Sequence, residues 1–182
     1  MRYLLSQHIP PFRRVLLVES GSRYLIEHLL PGLYKHNPGL ERVDLVTCYP
    51  GLPKGFDESR GVVYRVTDYL GRPARKGFYQ KLRGEGYNIL GIVCSGEPIM
   101  TKWKWALTAQ VPAKTFLLNE NGDYFWLDRS NLAIVRHFIL YRAGLTGAGA
   151  VNTLVRMALF PFTLAYLLLY AATAHLSRRV RI

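Results

Sequence analysis

Acidic residues, cysteines and metal or nucleotide signatures are all scarce in this sequence, and each shortage removes a class of protein. Only 12 Asp and Glu stand against 24 Lys and Arg, and after Asp128 there is no acid at all, while Arg129, Arg136, Arg142, Arg156, Arg178, Arg179 and Arg181 are basic. A chain with a formal net charge of +12 and a pI near 10.0 is suited to an anionic partner. No helix-turn-helix, RNP-like or zinc pattern accompanies that charge, so nucleic acid is not an expected partner. The two cysteines, Cys48 and Cys94, fall in apolar strand-like runs where a reduced, buried thiol is expected, and they cannot form a disulfide framework. Neither they nor His8, His28, His36, His137 and His175 show ligand spacing, so no metal is expected. Both G-x-G-x-x-G and the Walker A loop are missing, which removes an ordinary dinucleotide dehydrogenase and leaves no implied cofactor. The start, MRYLLSQHIPPFRR, has two adjacent leucines where a cleavable signal needs about 7–15 apolar residues, so the globular part is expected in the cytoplasm.

What the sequence does hold is one long uncharged run, residues 157–174, MALFPFTLAYLLLYAATA. About 20 helical residues at 1.5 Å each cross a hydrocarbon core of about 30 Å, and the run reaches that length if Arg156 snorkels to the interface. Pro161 frees a backbone carbonyl inside it and is expected to kink it. Arginines at both ends give no clean orientation by the positive-inside rule. A single span is expected, with a re-entrant helix bent at Pro161 or a buried core helix of a soluble domain as the alternatives. Seven of the net positive charges flank this run, each favouring anionic headgroups by about 1 kcal/mol. The bilayer is therefore the first expected partner, and a cell inner membrane the expected location.

Ahead of that run the pattern is α/β. Residues 1–12 read as an arm closed by Pro10 and Pro11. A continuous apolar run at 15–18 is a strand buried on both faces. A helix follows from Arg23, with Leu25, Ile26, Leu29, Leu30 and Leu33 on one side and Pro31 inside it, and Asn37-Pro38-Gly39 ends it. Further strands are expected at 43–49, 61–66 (less apolar, so nearer an edge), 89–94 and 114–119. Helices are expected at about 72–86 and 99–110. Strands alternating with helices at this spacing predict a Rossmann-like parallel sheet of about five strands with helices on both faces, over residues 13–128. Residues 129–150 follow as an interfacial amphipathic helix and a glycine-rich joint with Gly144, Gly147 and Gly149. Residues 151–182 are the membrane helix with its basic tail. Tyr124, Phe125, Trp126 and Tyr141 suit the headgroup level.

Ligands of open α/β sheets bind beyond the carboxyl ends of the strands, which directs attention to three turns. The first, Glu19-Ser20-Gly21-Ser22-Arg23, opens onto a helix N-terminus that favours phosphate, with Ser20, Ser22 and Arg23 as donors. The second, Cys94-Ser95-Gly96-Glu97-Pro98, is followed by Lys102 and Lys104. Here Ser95 is expected to cap the next helix, Ser95, Gly96 and Lys102 to hold a phosphate, and Glu97 to serve as a base. The third, Glu120-Asn121-Gly122-Asp123, supplies Asp123 as a second carboxylate for general acid–base work.

The stretches RRVLLVES…LIEHLLPGLYKHNPGLERVDLVTC and KLRGEGYNILGIVCSGEP resemble the N-terminal half of GT-B glycosyltransferases, in particular the heptosyltransferase-like group. The shared pattern is a strand, a helix ending in L-x-x-x-x-P, a second strand opening x-V-D-L-V, and later L-R-x-x-x-Y-D, with Asn88 standing where that Asp is usual. The resemblance covers about residues 13–120. It implies an acceptor-binding half that handles a lipid-linked or phosphate-bearing substrate, with a partner chain supplying the donor site. A non-catalytic accessory subunit of a larger membrane complex is the alternative expectation.

Overall fold

The computed structural model describes residues 6–97, 99–142 and 150–180. The chain divides into two compact units, Met1–Leu132 and Ala133–Ile182.

The first unit is a six-stranded sheet in the order β3-β2-β1-β4-β5-β6, formed by β1 (Arg14–Glu19), β2 (Arg42–Thr47), β3 (Val63–Arg65), β4 (Ile89–Cys94), β5 (Lys114–Asn119) and β6 (Tyr124–Trp126). β1 is central because it has no polar face: Val15 to Val18 are all fully buried, and it pairs in parallel with both β2 and β4. A fully buried leucine or valine contributes about 1.5–3 kcal/mol, so this strand is a large share of the core. β4 is buried throughout, and β3 lies at the edge where its thinner apolar pattern put it.

Helices cover both faces. Strand alternation puts Val15, Leu17, Leu45 and Phe116 on one face, where they pack with Leu25, Ile26 and Leu30 of α1 (Arg23–His36). Tyr64 of β3 faces the other way. Its ring meets Phe78 of α2 (Arg72–Gly84) at 5.4 Å, and Phe78 meets Trp103 of α3 (Thr101–Gln110) at 5.9 Å. Asp44, buried in β2, accepts from Arg42 Nε at 2.8 Å, from the Val62 N–H at 2.7 Å and from the Tyr87 hydroxyl, tying the loops at the amino edge together.

Three elements differ from the sequence expectation. There are six strands rather than five, because Tyr124–Trp126 returns antiparallel to β5, with Phe116 opposite Trp126. Trp126, expected at a headgroup level, instead packs on the core with ring contacts to Phe12 at 6.1 Å and to Phe116 at 5.6 Å. The described part of the expected arm is held down: Pro10 is buried, and the buried Lys114 ammonium donates to the Ser6 carbonyl.

The second unit holds α4 (Leu132–Arg142) from its second residue on, and α5 (Ala150–Val180). α4 exposes Leu132, Ile134, Ile139 and Tyr141. α5 runs 31 residues through Pro161, and its stretch Val151–Thr173 is long and apolar enough to cross a membrane, with none of its most apolar window buried. At about 1.5 Å per residue those 23 residues reach about 34 Å, longer than the uncharged run alone, and they take in Arg156. Gly144, Gly147 and Gly149 lie outside the described residues, as do Pro98 and Arg181.

Candidate functional site

The strand order reverses direction between β1 and β4, so the chain leaves these two neighbouring strands toward opposite sides of the sheet, and their carboxyl ends are where open α/β sheets hold their ligands. The turns after β1 and β4 meet there. Ser20, fully buried, donates to the Val93 carbonyl at 2.6 Å. Gly21 lies so close to the fourth-strand turn that a Cβ there would stand 2.4 Å from Ser95 Oγ and 2.7 Å from Val93 Cγ1, so only glycine fits without a shift. The turn after β2 joins them, with Tyr49 donating its hydroxyl to the Gly21 carbonyl at 3.1 Å. Tyr24, at the start of α1, donates to the Glu120 carbonyl at 2.8 Å, drawing in the turn after β5. Between α1 and that turn lies a cleft of about 550 Å³ whose lining includes Tyr24, His28, Leu29 and Tyr124.

The sequence-predicted residues fare differently in this arrangement. Ser22 is the N-cap of α1 with extended backbone (φ −61, ψ 126) and makes no side-chain capping bond, and the first turn of the helix holds no acid. Arg23 is engaged: its Nε donates to Glu19 at 2.7 Å, its Nη1 to the Pro50 carbonyl at 2.9 Å, and its guanidinium lies 5.3 Å from the centre of the Tyr49 ring. The hydrogen bond to Glu19 raises the Arg23 pKa further. Glu19 is fully buried and also accepts from Thr47 Oγ1. Ser95 caps no helix. α3 begins after Met100, which is left-handed at φ 52, and the buried Ser95 hydroxyl has no hydrogen-bond partner among the described residues. A methionine at positive φ is strained, and such outliers concentrate at ligand clamps and active sites. Gly96 and Glu97 are exposed, and Glu97 acts electrostatically on Tyr49. Lys102 is exposed in the first turn of α3, whereas Lys104, two residues on, is buried on the helix's inner side.

Asp123 stands apart from this group. Its backbone and carboxylate close the β5–β6 turn on Asn119, with the Asp123 N–H donating to Asn119 Oδ1 at 2.9 Å and Asn119 Nδ2 donating to its carboxylate at 3.3 Å. Burial pushes the Cys48 thiol and the Tyr49 phenol above their ordinary values, which leaves neither activated as a nucleophile at neutral pH. Among the described residues no group of three or more His, Cys, Asp or Glu is placed to hold a metal ion.

Sequence reasoning named the turn containing Glu19 but gave Glu19 no role, and it passed over Thr47, Tyr49 and Tyr24. The Glu19–Arg23 spacing of four was readable, and Thr47 and Tyr49 sit at the end of a strand, where the carboxyl-edge rule already pointed. Comparison of the chain with protein-family models, with curated proteins and with solved structures yields no match.

Proposed function

We propose that the chain is a membrane-anchored, Rossmann-like module of glycosyltransferase type, the acceptor half of a GT-B-like pair, which binds a lipid-linked or phosphate-bearing substrate. α5 anchors it in a cell inner membrane, the α/β unit lies on the cytoplasmic side, and a partner chain supplies the donor site. The observation that supports this reading is the reversal of strand order between β1 and β4, the place where open α/β sheets hold their ligands. There Gly21 lets the turns after β1 and β4 pack against each other, α1 offers its N-terminal N–H groups to an anion, and the buried Ser95 hydroxyl has no partner among the described residues. Lys102 adds a cation and Glu97 a carboxylate to accept a proton, both on exposed positions that substitution leaves foldable.

A second reading, an accessory subunit of a membrane complex without catalysis, draws on the commitment of Ser20, Arg23 and Asp123 to internal hydrogen bonds. One experiment separates the two. The full chain is extracted in mild detergent, its co-purifying proteins and lipids are identified by mass spectrometry, and sugar transfer is assayed on the reconstituted assembly. The acceptor-half reading expects transfer that falls at least about ten-fold in Glu97→Ala and Lys102→Ala with assembly intact. Transfer indifferent to both substitutions, or a stoichiometric complex with no transfer, supports the accessory reading instead.

A further inference from the structure

One strongly charged surface of the α/β unit is used neither by the sheet nor by the turns after β1 and β4. α2 carries Arg72, Arg75, Lys76, Lys81 and Arg83 and no acid. Positions 72, 75, 76, 79, 80 and 83 fall three or four apart and so share one face. With Gln110 of α3 they line a shallow cleft of about 440 Å³ that contains no carboxylate. Two of its cations are held in place: Arg83 Nε donates to the Gln110 carbonyl at 2.9 Å, and Arg75 Nε to the Gly71 carbonyl at 3.1 Å. Directly before the helix Leu70 is 77% exposed, the most exposed large hydrophobic side chain among the described residues, and Pro73 and Ala74 beyond it are exposed too. The acids nearest in sequence are Asp68, two residues before Leu70, and Glu85, the C-cap of α2, whose carboxylate pairs with Arg42 at 2.8 Å; the cations of α2 outnumber them.

Cations beside an apolar tip match a phospholipid surface, where phosphates meet the guanidinium and ammonium groups and the leucine enters between headgroups. A nucleic acid or a free phosphate would answer the charge but gives Leu70 nothing apolar to enter. We propose that Leu70 and the basic face of α2 dock the α/β unit onto the anionic headgroups of the same bilayer that holds α5. The proposal rests on the reading of α5 as a membrane helix. Anchorage makes the second contact intramolecular, so a weak surface suffices.

The test uses the full chain in nanodiscs of phosphatidylcholine alone or with about one-third phosphatidylglycerol, amine-acetylated and read by mass spectrometry. Lys35, exposed on α1, is the internal reference for Lys76. Acetylation of Lys76 relative to Lys35 is expected to fall about five-fold or more in the anionic discs. It should return toward the neutral-disc value in Leu70→Ser, which keeps every charge, and in Arg72→Gln/Arg75→Gln, with thermal unfolding of both variants unchanged. A Lys76:Lys35 ratio that is the same in both discs overturns the docking alone. So does protection that Leu70→Ser leaves intact and that single-stranded RNA reproduces in neutral discs, which would assign the face to nucleic acid. A chain that never enters discs overturns the anchor reading, and the docking with it.

Discussion

Arg23 shows how a residue chosen for ligand chemistry can be taken up by the fold. Its guanidinium neutralises Glu19, a carboxylate with no exposure, so Arg23→Ala is expected to leave a buried uncompensated charge and cost about 2–4 kcal/mol in chemical denaturation. Adding Glu19→Gln should recover part of that loss. Gly21 and Ser95 are coupled by contact: Gly21→Ala is expected to destabilise by about 1–3 kcal/mol through overpacking, and Ser95→Gly to relieve it in part, as a double-mutant cycle would show. Asp128 yields a pH prediction. Burial opposes its ionisation, but the Ser130 hydroxyl, the Asn131 N–H and the Lys114 ammonium outweigh burial and hold its carboxyl below the usual range. A depressed carboxylate contributes stability above its unfolded pKa, and that stability is lost as pH falls through the folded value. Unfolding temperature should therefore drop below about pH 4, and Asp128→Asn should flatten that limb. At this scale the sequence located the turns after β1, β4 and β5 but not the hydrogen bonds within them. Residue type reports what Ser20 or Arg23 is able to bind, and only the fold reports what has already bound it.

Elements were more legible, because apolar periodicity is set by burial and burial is what the fold satisfies. The expected strands at 89–94 and 114–119 are β4 and β5 with the same bounds, and the leucines expected on the inner side of the first helix pack against the sheet. The missed strand, β6, is three residues of Tyr-Phe-Trp, too short to show alternation and aromatic enough to read as a membrane belt. α5, expected over residues 151–182 around an uncharged core at 157–174, runs Ala150–Val180, since a helix continues through polar residues once an apolar stretch has organised it. If α5 spans, Leu167→Arg near its middle is expected to cost about 2.5–3.5 kcal/mol of insertion free energy. An alkaline-extraction assay checks this: the variant should shift from the membrane pellet toward the supernatant, and an unshifted variant would place that face of the helix elsewhere than in lipid.

For the whole molecule, one compact unit holds a mostly parallel sheet whose strand order reverses between β1 and β4, and the other holds a helix long and apolar enough for a bilayer. β1, around which the sheet is arranged, has β2 on one flank within 30 residues, but its other flank stays open until β4 has been made, 75 residues after β1 ends. At ribosomal speeds of about 5–20 residues per second, that leaves Val-Leu-Leu-Val without its second neighbour for about 4–15 s. The newborn protein is therefore a natural client for a holdase, and the yield of folded chain should respond to translation rate more sharply than to the sequence of its anchor.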